Sequence, residues 1–391
     1  MTELVYPELV CPGLDGTNPL HVLAALGLLQ LGSTNGLALS LHWRHEQTWY
    51  PVVTTTSAAP PAAMHATTIA QILIDLACVG EQDPVQARLA RDLNTERKKL
   101  LEASKKDRAA AKEAAKLLSP EERKQTLQAF EQRLNCELEA IDQKITAAQD
   151  LVNDALGAGV AHLGDIIGVH PSIFRRKSEQ ACRAWLDNKT LGKGIAASLI
   201  ADAMASQACD SILDDKGLVQ NTPLSFSNGA SGQCLLKAFR TLAIDVTPDQ
   251  VAGTLTGSST SYLPTATPLN WSPADQRDYA LTWASPEDKN TNPKLTDVAA
   301  NALALLGLSL LTACPSKNRL EALGWKQRDP GQGFTWPLWT TPLSAPVVRS
   351  LIASVPNRVA EREAMGIAAV FRAARINPTG KRNFFAPARP V

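Results

Sequence analysis

Apolar positions along this chain fall into three patterns, and each predicts a different kind of element. Over residues 20–31, Val22, Leu23, Leu26 and Leu29 are joined by alanines and further leucines, leaving almost no polar face. Asn18 suits an N-cap and Pro19 the first helical position, where a missing N–H costs nothing. The pattern therefore predicts a helix from Pro19, ended by Gly32 and buried on most sides. A second run of this kind, residues 298–311, follows Asp297 and echoes the first. Each run needs an apolar neighbour and carries an inner glycine that permits close approach, so the two are expected to pack together in one core.

The second pattern is alternation. Residues 37–43 alternate large apolar with small or polar side chains, and a second short strand is expected over residues 48–54, so that the two pair as a hairpin on the first helix. His42 and Arg44 then share one face of the strand and Trp43 and His45 the other, as a phosphate- or base-contacting edge or as an ordinary exposed one. A Pro- and Ala-rich loop at 57–63 precedes a helix expected over 67–79.

The third pattern is a dense mixture of Lys, Arg, Glu and Ala over residues 83–150, without glycine and with Phe130 as its only aromatic residue. Ser119-Pro120 breaks it, with Pro120 as the first residue of a new helix and Glu121 and Glu122 at the positive end of its dipole. Apolar stripes lie on both arms: Leu93, Leu100, Leu101 and Leu117, then Leu127, Phe130, Leu134, Leu138, Ile141 and Ile145. Two such arms predict a protruding antiparallel helical hairpin, with Arg97-Lys98-Lys99 and Lys105-Lys106 either touching phosphates or simply solvated beside balancing acids. The expected fold is mainly α with a small β component (α+β), a helical core plus this hairpin. The chain then divides into an N-terminal part of the globular domain (1–82), the inserted hairpin (83–150) and a C-terminal, mostly helical part with a basic tail (151–391).

Composition narrows the class. With 391 residues, 45% hydrophobic and 20% charged, the chain has ordinary globular usage. The apolar run at 20–31 is too short to span a bilayer, and Glu3, Glu8 and Asp15 precede it where a secretory signal carries positive charge, so a cytoplasmic protein without membrane contact is expected. Seven cysteines at scattered spacing fit reduced thiols better than a disulfide frame or a zinc site. A formal charge of +1 excludes a globally basic nucleic-acid binder but leaves local patches open.

Candidate chemistry is sparse. His162, Asp165 and His170 lie close in sequence, but their spacing matches no zinc signature, so no metal is expected. Leu191-Gly192-Lys193-Gly194 lacks the preceding glycine and following hydroxyl of a phosphate loop, so no nucleotide cofactor is expected either. Arg175 and Arg176 follow Phe174 as a backbone contact for nucleic acid or as a helix-end cluster. Residues 224–236 place Asn228, Gly229, Gly232 and Gln233 in a small-residue loop before an apolar stretch. There Asn and Gln can read base edges, while glycine lets the backbone come close. After Glu363 the chain has Arg372, Arg375, Lys381, Arg382 and Arg389, no acid, and Phe384-Phe385 between them. Such a tail suits nucleic-acid backbone and stacking. The alternative is that Phe384 and Phe385 pin it into a groove.

Several of these segments, taken in order, resemble one family. They are residues 14–20 with 23–27, residues 226–233, Asn270-Trp271-Ser272-Pro273 with residues 279–283, residues 334–339, and Asn383-Phe384. In that order they are similar to the compact large-subunit-like proteins encoded in type I-G (formerly I-U) CRISPR loci, with the charged hairpin as an insertion. Ser272 and Cys234 depart from the family pattern, which often has an acid and a second Gln there. The resemblance implies a non-catalytic subunit, not an enzyme. Guide RNA carries sequence specificity, while this subunit reads the motif flanking the target, aids duplex opening and recruits the helicase-nuclease. Its implied partners are the CRISPR RNA-containing effector subunits, the double-stranded DNA target and the helicase-nuclease. On this reading Asn228 and Gln233 discriminate the motif, and Lys381, Arg382, Arg372, Arg375, Arg175 and Arg176 supply affinity. Two other classes stay open: an architectural subunit that binds only protein through the hairpin, and a metal-dependent enzyme using His162, Asp165 and His170.

Overall fold

The Asn18 side chain accepts the Leu20 amide at 3.0 Å, and its carbonyl accepts from Val22 at 3.0 Å, so the expected cap starts the first helix, α1 (Pro19–Thr34). This is seen in a computed structural model. It describes residues 8–34, 38–55, 65–78, 84–114, 119–155, 175, 203, 212–213, 217, 219–220, 222–226, 242–243, 246–258, 262–264, 269–273, 295–316, 319–328, 331–377 and 383–391. Gly32 does not end α1. It lies within the helix, where a Cβ would stand 2.3 Å from Leu39 Cγ, so its role is to admit the neighbouring strand.

The chain forms two compact units, residues 1–79 with 158–391, and residues 80–157. In the first, β1 (Glu8–Val10) precedes α1, and β2 (Leu39–His45) and β3 (Trp49–Thr55) follow as the expected antiparallel hairpin, in the register His42 to Val52. The helix α2 (Ala66–Cys78) forms within a residue of its expected bounds. Later in the chain come α5 (Pro248–Thr256), the short pair β4 (Tyr262–Pro264) and β5 (Leu295–Asp297), and α6 (Val298–Gly307), which closes with a 3-10 turn at Leu308–Leu310.

From Ala313 onward the described residues are mainly strands, where a mostly helical segment was expected. These are β6 (Ala313–Ser316), β7 (Arg319–Ala322), β8 (Trp325–Arg328), β9 (Gly331–Trp339) and β10 (Leu343–Ser344), then, after α7 (Ala345–Ala353) and α8 (Val359–Ala364), β11 (Ile367–Ile376), β12 (Phe384–Phe385) and β13 (Arg389–Pro390). One sheet has the order β1-β3-β2-β10, a second runs β12-β11-β9-β8 with β13 also on β11, and β4-β5 and β6-β7 form two-stranded sheets. The mixed α and β character is as expected. The strands are more than a minor component because long-range pairing, invisible in local pattern, organises the C-terminal residues.

The core is built where α1 crosses α6. A Cβ on Gly27 would lie 2.0 Å from the Leu303 carbonyl oxygen, and one on Gly307 would lie 2.0 Å from that of Leu23. Each helix thus seats its glycine on the carbonyl four residues before the other's glycine, bringing the backbones into direct contact. Leu23, Leu26, Leu303 and Leu306 are at most 1% exposed. Asp297 caps α6 by accepting the Ala300 amide at 2.8 Å and also accepts the Thr254 hydroxyl at 2.6 Å.

The second unit contains α3 (Pro84–Ala114) and α4 (Pro120–Ala155), the two helices expected on either side of Ser119. Ser119 and Glu122 form a capping box: the Ser119 amide and hydroxyl donate to the Glu122 carboxylate at 3.1 and 2.6 Å, and the Glu122 amide donates to Ser119 Oγ at 3.4 Å. These bonds hold the Glu122 carboxyl below its usual range. Arg108 of α3 is ion-paired with Glu131 of α4.

Candidate nucleic-acid interface

Strand geometry separates the basic residues that the sequence grouped as a tail. Residues 367–376 form β11, paired along its length with β9; Phe384–Phe385 and Arg389–Pro390 pair back onto its other edge. Arg372, Arg375 and Arg389 are therefore sheet residues.

Side chains alternate across a strand, and directly opposite residues share a face. Arg375 stands opposite Phe385 and on the same face as Trp325, Phe334 and Ala373. That face is aromatic and buried. Phe385, at 1% exposure, packs 4.6 Å from Phe226 and 6.3 Å from Trp325, so Phe384 and Phe385 do pin this segment. The Arg375 guanidinium lies 5.6 Å over the Trp325 ring, and burial lowers its pKa. Arg375 thus serves as a cation covering an aromatic cluster, not as a free phosphate contact.

Arg372 points to the other face. It stands opposite Arg389 on one side and Thr335 on the other; Lys326, opposite Gly333, lies on this face one row away. Arg389 is exposed and Lys326 and Arg372 are partly exposed, while Arg372 donates to the Gly331 carbonyl. Gly333 and Ala374 between them leave a low floor. Across β8, β9, β11, β12 and β13 the sequence supplies Lys326, Arg328, Arg372, Arg375 and Arg389, and not one Asp or Glu. In a protein of net charge +1, one face of this sheet thus gathers Lys326, Arg372 and Arg389. Lys326 was missed by sequence reasoning, although its signal was present: it lies on a strand whose partner in the sheet could not be read locally.

The remaining expected site residues fall differently. Arg175 is exposed. Asn228, Gln233, Lys381, Arg382 and Arg176, together with His162, Asp165 and His170, lie outside the described residues. Among the described residues no three His, Cys, Asp or Glu side chains converge as metal ligands, and no helix is long and apolar enough to cross a membrane.

One polar cluster in the first unit looks chemical and is structural. The Asp15 carboxylate accepts the Thr17 amide at 2.8 Å and its hydroxyl at 2.8 and 2.9 Å, a closed Asx turn. His21 Nδ1 accepts the Asp15 amide at 3.0 Å, so its one proton sits on Nε2. Burial pushes its pKa down to about 4, against an opposing pull from Asp15. Among the described residues no carboxylate orients this imidazole as a base; it acts as an acceptor that closes the loop before α1. His42 is likewise held below the usual histidine value by burial, with Glu8 raising and Arg44 lowering it; Arg44 and Glu8 form a 2.9 Å ion pair.

The segments that carry the sequence resemblance meet in space. Trp336 Nε1 donates to the Gly16 carbonyl at 2.9 Å, Asn18 Nδ2 to Ser272 Oγ at 3.3 Å, Trp271 Nε1 to the Leu224 carbonyl at 2.9 Å, and the Phe385 amide to the Asn270 carbonyl at 3.4 Å. Trp271, Trp336 and Phe226 are at most 1% exposed. These residues build the fold that displays the cationic face. No protein-family model matches the chain, and a search of curated proteins finds no match.

Proposed function

We propose that this chain is the non-catalytic large subunit of a type I-G CRISPR effector complex and that the face bearing Lys326, Arg372 and Arg389 contacts nucleic-acid backbone. The observation that carries the contact is the sheet face on which Arg372 and Arg389 stand directly opposite on adjacent strands, with Lys326 one row away. Like charges so placed repel, and a phosphate between them relieves the repulsion. The ordered motifs at 14–20, 226–233, 270–273, 334–339 and 383–384 support the assignment to the complex. In it the subunit reads the flanking motif, aids opening of the duplex and recruits the helicase-nuclease. We further propose that α3 and α4 run antiparallel as a hairpin that serves assembly. Its compactness as a separate unit also favours the second reading, an architectural subunit that touches only protein.

The test is duplex binding by the complex assembled with its RNA and locus-encoded partners. Arg372→Ala with Arg389→Ala should weaken all duplexes alike and flatten the dependence of log affinity on log salt by about 2, one for each phosphate left without its cation. Asn228→Ala with Gln233→Ala should instead narrow the gap between good and poor flanking motifs. Wild-type behaviour of both double variants would remove the nucleic-acid contact and leave the architectural reading.

A further inference from the structure

The two helices of the second unit are charged with opposite signs. α3 carries nine Lys and Arg against five Asp and Glu, a net charge of +4; α4 carries eight Asp and Glu against four Lys and Arg, a net charge of −4. Summed over both, the charge vanishes, so composition conceals the segregation.

The apolar seam of this pair is unfinished. Leu127, Phe130, Leu134, Leu138 and Ile141 follow the three- and four-residue spacing of a helix face, yet every one stays partly exposed. On α3, Leu100 is partly exposed and Leu89 is 44% exposed, while Leu93 is buried. Two helices cover each other along one line only, whereas a stripe of this width is normally closed by further helices on its flanks. The Arg108–Glu131 pair is about half exposed on both sides, so it selects a partner more than it holds one.

We propose that a second copy of this chain closes the seam. Two α3–α4 pairs associate into a four-helix bundle in which each α3 lies beside the α4 of the other copy. Every basic helix is then flanked by two acidic ones, and the two-fold contact is self-complementary, as a closed dimer requires. The charges exclude the other arrangement, which sets a +4 helix against its own copy. The occupant is committed by this complementarity: the chain carries both halves of the match, so an identical chain supplies what each face lacks.

The experiment is the mass of the full-length chain in solution by light scattering, over a concentration series at low and high salt. The expected result is a dimer of about twice 41.9 kDa that loosens as salt rises. Two variants sharpen it, one with Lys99→Glu and Lys105→Glu on α3, the other with Glu137→Lys and Glu139→Lys on α4; all four side chains are exposed. Each pair brings the net charge of its helix to zero and should weaken its dimer about tenfold, and an equimolar mixture should recover part of the affinity, because the unaltered α3 of one variant meets the unaltered α4 of the other. Unchanged helical circular dichroism shows that the helices survive. A chain that stays monomeric at low salt overturns the proposal, as does a dimer indifferent to both variants. A monomer that binds duplex nucleic acid and ceases to do so on Lys99→Glu with Lys105→Glu overturns it too, assigning the basic helix to nucleic acid instead.

Discussion

Two pairs of helices in this molecule are held by opposite means. Where α1 crosses α6, both helices are apolar almost all round, and two glycines let each backbone rest on the other's carbonyl. Where α3 meets α4, the apolar stripe stays partly exposed, and both helices are otherwise rich in charge. The first contact has no tolerance for added volume or charge, since dense packing leaves nowhere for either to go. The second tolerates change at most positions, because water already reaches them and solvated charges contribute little to stability. The fold of the first unit therefore rests on the crossing.

The most damaging change should be Leu26→Asp in α1, which buries an unpaired carboxylate at a site 1% exposed and costs several kcal/mol. No cooperatively folded protein is expected; a soluble variant with a sharp thermal transition would remove α1 from the core. Next come Gly27→Ala and Gly307→Ala, each expected to cost about 2–4 kcal/mol in urea unfolding because the added methyl collides with a backbone carbonyl. Since both substitutions force the same separation of the two helices, the double variant should cost clearly less than their sum. Strict additivity would show that the glycines act at independent contacts.

A smaller effect attaches to His21. Its folded value of about 4 lies below the ordinary 6.5, so between those limits the unfolded chain binds the extra proton. Stability contributed by the neutral imidazole is complete above pH 6.5 and is lost as pH falls toward 4, by roughly 1–3 kcal/mol, the lower end because the residue keeps some exposure. His21→Gln should flatten the stability profile in that window; an unaltered slope would clear His21 of the role. The smallest effect is expected from replacing residues 80–157 with a short Gly-Ser linker, which should change the unfolding free energy of the first unit by less than about 1 kcal/mol. Cys11 reports this directly: buried, with its thiol pushed up to about 12, it should resist alkylation in the shortened chain as in the whole one. Rapid labelling of Cys11 would mean that the second unit supports the core.

Local signals sufficed wherever one element carried its own instructions. Asn18-Pro19 and the Ser119–Glu122 box start helices because a side chain three or fewer residues away satisfies an otherwise orphaned amide. A capping box at Thr247 and Gln250, with Gly257 in the left-handed region, marks α5 in the same way and is absent from the elements expected above. The crossing of α1 and α6 was also legible, because two wholly apolar runs with inner glycines have few other ways to leave water. What a strand does with its side chains was not. Arg372 and Arg375 are three residues apart and read as one cluster. The register of β11 against β9 and β12 sends one to an open cationic face beside Arg389 and the other over Trp325. The sequence by itself determined α1 to α4 and α6, the starts of α1 and α4 and the crossing at the core, through interactions spanning a few residues or through plain hydrophobicity. Only the tertiary structure decided which cations share a surface, because alternation flips a side chain with every residue and the choice of face depends on partners far away in the chain.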